Sequence, residues 1–314
     1  MKASIRGLGA VGGFGCGAAD LERAMSGRVS ANPPAAPVHR ADTAMLARFL
    51  PAAALRRVDH HSRMAVLAGR LALEDAGPGE GPPGPMGVIV ATGMGPTADT
   101  LESRSAEADD GEPRLSPIQF SNSVHNAAAA HIAILLGIRG PNLSINHFDL
   151  SVAFAFQTAL DWLEEGRAAT VLVGGIDCFS NALDVSGKIP AGEGSAFFVL
   201  TRPTPEASRY PLIQGVRIGG RGPRGAASPP GTLVVHDGSG EGELGLNGPQ
   251  AVFAPLYGAF PAAMALDVAA AALLLKKDSP LRGLVPGLDR EAGARIRCLR
   301  KGVSGETAAI DVGR

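Results

Sequence analysis

With 314 residues, 45% of them hydrophobic and 19% charged, the chain can bury a large core in one or two closely fused domains. Its 29 basic and 30 acidic side chains leave a formal charge of -1, with no block of one sign. Electrostatics therefore point to neither nucleic acid nor a membrane surface as a partner.

The amino terminus turns glycine-rich at once, without the apolar core and small-residue cleavage site of a secretory signal, so a cytoplasmic location is expected. Residues 4–11 read as a buried strand ended by the Gly12-Gly13 turn, and Asp20 to Met25 as a helix stopped by Gly27. Residues 32–37 are proline-rich and read as a surface loop. From Asp59 to Ala76, apolar residues recur at three- and four-residue intervals before Gly77, predicting an amphipathic helix, followed by a Pro/Gly loop to Pro85. The nearly pure apolar run Gly87 to Thr92 predicts a strand covered on both faces, with helix resuming near Thr97.

Asn126 to Leu136 predicts a helix stopped by Gly137, and Leu143 to Ile145 a short strand. Ser151 to Leu163 is apolar almost all round, which belongs to a helix covered on several sides. Strands follow at Ala169 to Gly175, Ser195 to Leu200 and Leu212 to Ile218, giving the alternation of an α/β domain. Beyond residue 220 the expectations are a loop over Gly222 to Gly231, a strand over Thr232 to His236, a glycine-rich turn, a helix over Pro261 to Lys276 and a last strand over Ala308 to Val312. That order echoes the first half and fits an internal duplication with a shortened second copy.

The longest apolar runs, 127–138 and 268–275, fall short of the ~20 residues of a membrane span and read as buried helices. Cys16, Cys178 and Cys298 are odd in number, far apart and without C-x-x-C spacing, so the sequence predicts neither a disulfide framework nor a metal site. Gly93-Met94-Gly95 and Gly238-Ser239-Gly240 lack a Walker lysine and the dinucleotide fingerprint; they read as turns, and no cofactor is expected.

Six segments, in register across residues 4–220, resemble the β-ketoacyl synthase family of the thiolase superfamily, and in particular a short divergent branch similar to chain length factor-like subunits of aryl polyene and polyketide systems. They are Gly7-Leu8-Gly9-Ala10-Val11, the helix ending Ala72-Leu73-Glu74-Asp75-Ala76-Gly77, Val88-Ile89-Val90-Ala91-Thr92-Gly93, Phe120-Ser121-Asn122-Ser123-Val124-His125-Asn126, Gly174-Gly175-Ile176-Asp177 and Gly192-Glu193-Gly194-Ser195-Ala196. The resemblance implies an α/β thiolase-like five-layer αβαβα fold, usually dimeric across the first half's sheet. It divides the chain into a synthase N-terminal-like half, 1–220, and a reduced C-terminal-like half, 221–314.

Family members attack an acyl thioester with a cysteine at the head of the central helix, assisted by two histidines. Matching that segment puts Asp149 at the nucleophile position, and a carboxylate cannot form the required thioester. At the first histidine the match gives Asp237, or His236 if the register slips by one; at the second it gives Ala259. The resemblance thus implies a degenerate synthase, a chain length factor-like partner of an active ketosynthase in fatty acid, polyketide or aryl polyene biosynthesis, as a heterodimer or with itself, and a possible client of acyl carrier protein. The apolar face of His125 to Leu136 is the expected interface. Two other classes stay open: an acyl-thioester decarboxylase or hydrolase using Asp149, His147 and His236 or Asp237 as acid and base, and an acyl-binding regulatory protein.

Overall fold

The computed structural model describes residues 1–27, 38–77, 85–96, 117–179, 189–204, 208–221, 228–229, 231–238, 246, 248–281, 283–285, 288 and 294–314. The expected loops at 32–37 and 78–84, the helix near Thr97, and most of the loop over 222–231 lie outside the described residues.

The chain opens with β1 (Ala3–Gly12), folds back through β2 (Gly15–Cys16) and enters α1 (Ala18–Gly27). β3 (Val38–His39) and the short α2 (Ala52–Leu55) lead to α3 (His60–Ala76). Asp59 caps α3 by accepting the Ser62 N–H at 2.6 Å, an interaction worth about 1 kcal/mol, and Gly77, at φ 89°, ends it. β4 (Met86–Thr92), α4 (Pro117–Asn122), α5 (Ala127–Leu136), β5 (Asn142–Asn146), α6 (Ser151–Glu165), β6 (Thr170–Asp177), β7 (Ala191–Gly192) and β8 (Gly194–Thr201) complete the first half. β9 (Leu212–Arg221), β10 (Leu233–Val235), β11 (Gln250–Ala251), α7 (Met264–Leu274), β12 (Arg295–Lys301) and β13 (Glu306–Gly313) follow.

The strands form two sets with one topology. The first set lies in the order β5-β4-β6-β8-β1 and the second in the order β11-β10-β12-β13-β9. In each, the third strand in chain order is at one edge, beside the second, fourth, fifth and first. The fifth strand of each, β8 or β13, runs antiparallel to both neighbours, while the second pairs in parallel on both sides. A short antiparallel contact, Ala3↔Ile213 and Ser4↔Leu212, joins the sets. Sheet order assigns β9, which runs up to Arg221, to the second set, so the repeat begins ahead of the expected division at 220/221.

α6 and α7 occupy equivalent places, each between the third and fourth strands of its set, and each contacts strands of both sets. They fill the space between the sheets with the main core, including Phe156, Leu160, Phe198, Leu266, Leu273 and Ile310. The all-round apolarity of the Ser151 helix is explained by that position, and every residue of α7 is buried. α3 and α5 cover the other face of the first set, over a second cluster around Leu67, Val90, Leu172 and Phe197. β1 and α3 approach so closely that a Cβ on Gly9 would sit 2.0 Å from the Ala68 carbonyl oxygen. The outer face of the second set carries only a small cluster, Val234, Leu299 and Ala309, and no helix among the described residues.

Two expectations change in detail. The helix expected over Pro261 to Lys276 begins as a 3-10 turn, Pro261–Ala263, and its α-helical part ends at Leu274. The approach to the last strand is itself a strand, β12, and Cys298 lies within it. No helix among the described residues is long and apolar enough to cross a membrane.

Candidate functional site

β5 leaves the sheet edge through a strained turn into α6. Phe148 has φ 48°, left-handed backbone that costs a side-chain-bearing residue about 1 kcal/mol. Ser151 holds the turn: its Oγ accepts the His147 N–H at 2.7 Å, and its hydroxyl is within 2.7 Å of the Phe148 carbonyl and 2.9 Å of the Thr92 carbonyl. The Leu150 N–H donates to the His147 carbonyl at 3.1 Å. Asp149 is thereby fixed at the head of the central helix, beside the end of β4.

A cavity of about 250 Å³ opens over this turn, lined by Phe148, Asp149, Asp237, Ala259, Phe260 and Arg300 among others. Burial pushes the Asp149 carboxyl up; the Arg300 guanidinium opposes this, while Asp237 and Asp177 push it further, and it settles at about 6. Arg300 comes from the inward face of β12 and meets the buried Asp267 of α7 at 2.5 Å. The Tyr257 hydroxyl donates to the same Asp267. Burial works against the Arg300 charge, but Asp267, Asp237, Tyr257 and Asp149 outweigh it, so the guanidinium stays ionised. Its Nε lies 3.8 Å from Asp237 Oδ2.

The frame beneath the cavity is built from carboxylates and glycines. Asp177, fully buried at the end of β6, accepts from the Thr92 hydroxyl at 2.7 Å and from the N–H groups of Gly93, Met94 and Ala262 at 2.8–3.1 Å. It therefore ties β4 to the start of α7. Glu193 accepts from the Ala41 N–H at 3.0 Å and the Phe179 N–H at 3.1 Å, and pairs with His60 Nε2 at 3.0 Å. Burial raises the Glu193 carboxyl, but these hydrogen bonds outweigh it and hold it below the usual range. Gly258, at φ 84°, passes so close to Gly192 that a Cβ on it would meet the Gly192 Cα at 2.5 Å.

The structure brings Asp149, Asp237 and Ala259 together in the cavity wall and leaves the two histidine candidates outside it. The His147 side chain is exposed, with its ring against Phe154 at 4.9 Å. His236 is buried beside Asp237, its Nδ1 accepting the Gly238 N–H at 3.1 Å. None of the three cysteines lines the cavity. Cys298 is fully buried, and burial with the Asp267 charge holds its thiol protonated; burial and two aspartates push Cys16 to about 11. Among the described lining residues the chemistry on offer is that of two carboxyl groups and one tethered guanidinium, with no thiol and no imidazole.

Arg300, Asp267 and Tyr257 are the site residues that sequence reasoning missed. Their signal was local: Asp267 is the lone charge in the apolar run Met264–Leu274, and Arg300 follows the apolar pair Cys298-Leu299.

Residues 33–196 match the family model described as "Beta-ketoacyl synthase, N-terminal domain". The chain is 31% identical over 129 residues to 3-oxoacyl-[acyl-carrier-protein] synthase I, chloroplastic, of Hordeum vulgare, covering 39% of this chain and 28% of that protein. It is 30% identical over 185 residues to Nodulation protein E of Rhizobium leguminosarum bv. trifolii, covering 55% of this chain and 46% of the relative. It thus spans less than half the length of these curated relatives. Across 99% of both chains its fold is similar to that of a solved structure described as "The ishigamide ketosynthase/chain length factor", with a TM-score of 0.78 at 17% identity. A type II PKS acyl-carrier protein in complex with its ketosynthase gives 0.76 at 15% identity, again over 99% of both. The twofold strand order, the central helix headed by a strained turn and the matched N-terminal domain agree, and the chain belongs to the β-ketoacyl synthase family.

Proposed function

We propose that this chain is a non-condensing, chain length factor-like partner of an active ketosynthase, acting in the cytoplasm on chains carried by acyl carrier protein. The observation that supports this reading is the thiol-free cavity: the resemblance puts the nucleophile position at Asp149 and the histidine positions at Asp237 (or His236) and Ala259, and the described lining residues offer neither thiol nor imidazole, with Arg300 beside Asp237. Condensation through a covalent thioester has no group here to start it.

The features a partner subunit needs are present. Among the described residues β5 pairs on one side only, with β4. Ile118, Phe120, Val124, Ile134, Leu143 and Phe148 are exposed apolar residues, and all fall between residues 118 and 148, in α4, the link to α5, α5, β5 and the strained turn. Likeness to a ketosynthase/chain length factor structure over the whole chain supports the same assignment.

The test is co-expression with a candidate ketosynthase, followed by size-exclusion chromatography and a condensation assay with and without Asp149→Ala. The expected result is a stable heterodimer whose condensation requires this chain and tolerates the substitution. The raised Asp149 carboxyl favours one competing reading, an acyl-thioester decarboxylase or hydrolase that works near pH 6. Turnover by this chain alone, abolished by Asp149→Ala, would establish that reading and overturn the partner role.

A further inference from the structure

We infer that His60, Cys178 and Glu193 form a binding site for one divalent transition-metal ion of the zinc class. Their ligand atoms lie within 4.8 Å of one another, although the residues come from three separate segments: the first turn of α3, the residue after β6, and the link between β7 and β8. Cysteine spacing in the sequence could not reveal such a set, because it contains only one cysteine.

Imidazole nitrogen, thiolate sulfur and carboxylate oxygen are the donors that zinc takes, and the thiolate selects against magnesium and calcium. At zinc bond lengths, tetrahedral ligand atoms stand about 3.3–3.6 Å apart. His60 Nε2 and Glu193 Oε1, now 3.0 Å apart, need to separate slightly, and the widest separation in the set, up to 4.8 Å, needs to close by about 1.2 Å to reach that spacing. Three protein ligands leave the fourth position to water.

The surroundings already resemble an outer coordination shell. The Ala41 and Phe179 N–H groups each orient one Glu193 oxygen, at 3.0 and 3.1 Å. Cys178 and Glu193 are buried, while the His60 side chain is 38% exposed and gives the ion a way in. A thiolate and a carboxylate together neutralise a divalent ion. Arg40, with Nη1 3.6 Å from Glu193 Oε2, lies over the Phe179 ring at 4.4 Å and is exposed enough to move away. Forming the Cys178–metal bond breaks its S–H bond and releases that proton to solvent, so affinity rises with pH. Phe179 also lines the cavity, so a bound ion would brace the cavity wall from behind.

The experiment is titration of the full chain with Co²⁺ in a non-chelating reductant, followed by Zn²⁺ displacement. The expected result is saturation at one equivalent, with the near-ultraviolet thiolate-to-cobalt band and the visible bands of a tetrahedral site. Cys178→Ser should abolish the thiolate band, Cys16→Ser should leave it unchanged, and His60→Asn should weaken binding at least about tenfold. The half-exposed His60 keeps the test valid if Cys178→Ser fails to fold. Absence of the band at one equivalent, its survival in Cys178→Ser, or full affinity in His60→Asn would overturn the site and leave the His60–Glu193 pair as a hydrogen bond that docks α3.

Discussion

At Asp149, burial and the carboxylates of Asp237 and Asp177 act against ionisation more strongly than Arg300 supports it, so the carboxyl titrates at about 6 instead of 3.8. The folded chain therefore holds this proton more tightly than the unfolded chain does. Below about pH 4 both states are protonated and the residue is neutral in effect. As pH rises from 4 to 6 the unfolded state ionises first, and stability falls through that window. Above pH 6 the residue costs about 3 kcal/mol, at 1.36 kcal/mol per unit of displacement. Asp149→Asn keeps the size and an acceptor at the helix head while removing the charge. It should melt a few degrees above the wild type at pH 7.5 and match it at pH 4, read by thermal unfolding across pH. A lower melting temperature for the variant at pH 7.5 would mean that the carboxylate contributes to stability through Arg300.

Two elements decide the cavity's shape: the Gly258 turn before α7 and the strand β12 behind it. Gly258 combines φ 84° with contact on the Gly192 backbone, so Gly258→Ala adds both left-handed strain and a clash. Denaturant unfolding should show a loss of about 2 kcal/mol or more, and the same substitution at the open Gly219 should cost less because nothing lies within 4 Å of its Cβ position. The position next to Gly258 was legible in the sequence, since the resemblance puts Ala259 at the second histidine position, whereas β12 was not. Arg295, Arg297, Arg300 and Lys301 make that segment look like a surface stretch. In the fold, Arg297 is buried in a two-point ion pair with Asp311, the residue opposite it in β13, and Arg300 is buried against Asp267. Pairing partners supplied by distant segments overrode local polarity, which no window of sequence can anticipate. His147 lies outside the cavity for a related reason: proximity to Asp149 in sequence suggests a shared pocket, but positive φ at Phe148 lies between them and the two side chains part. Asp149, Asp237 and Ala259, the positions that the resemblance singles out, line one cavity.

Among the described residues, ten strands form two copies of one five-stranded arrangement, and their two outer edges are unequal. One ends in the two-residue β11, too short to recruit another strand, while the other ends in the five residues of β5. β5 reads Asn-Leu-Ser-Ile-Asn, with neither proline nor lysine to blunt it, and an edge of that kind, unpaired among the described residues, invites pairing. Beside it α5 exposes 74% of Ile134, and α4 exposes 63% of Phe120. In a monomer such side chains contribute little, so replacing them should change the chain's own stability by no more than about 0.5 kcal/mol. In a complex they would sit near the centre of an interface of roughly 1,200–2,000 Å², where a buried charge costs about 2 kcal/mol or more. Ile134→Asp and Phe120→Asp should each weaken association with the ketosynthase at least tenfold, measured by light scattering on the purified pair, while leaving the melting curve of the isolated chain in place. If both variants assemble normally, the exposed face is not the contact surface. If either unfolds the isolated chain, the face is already covered within the monomer, and the partner must dock elsewhere.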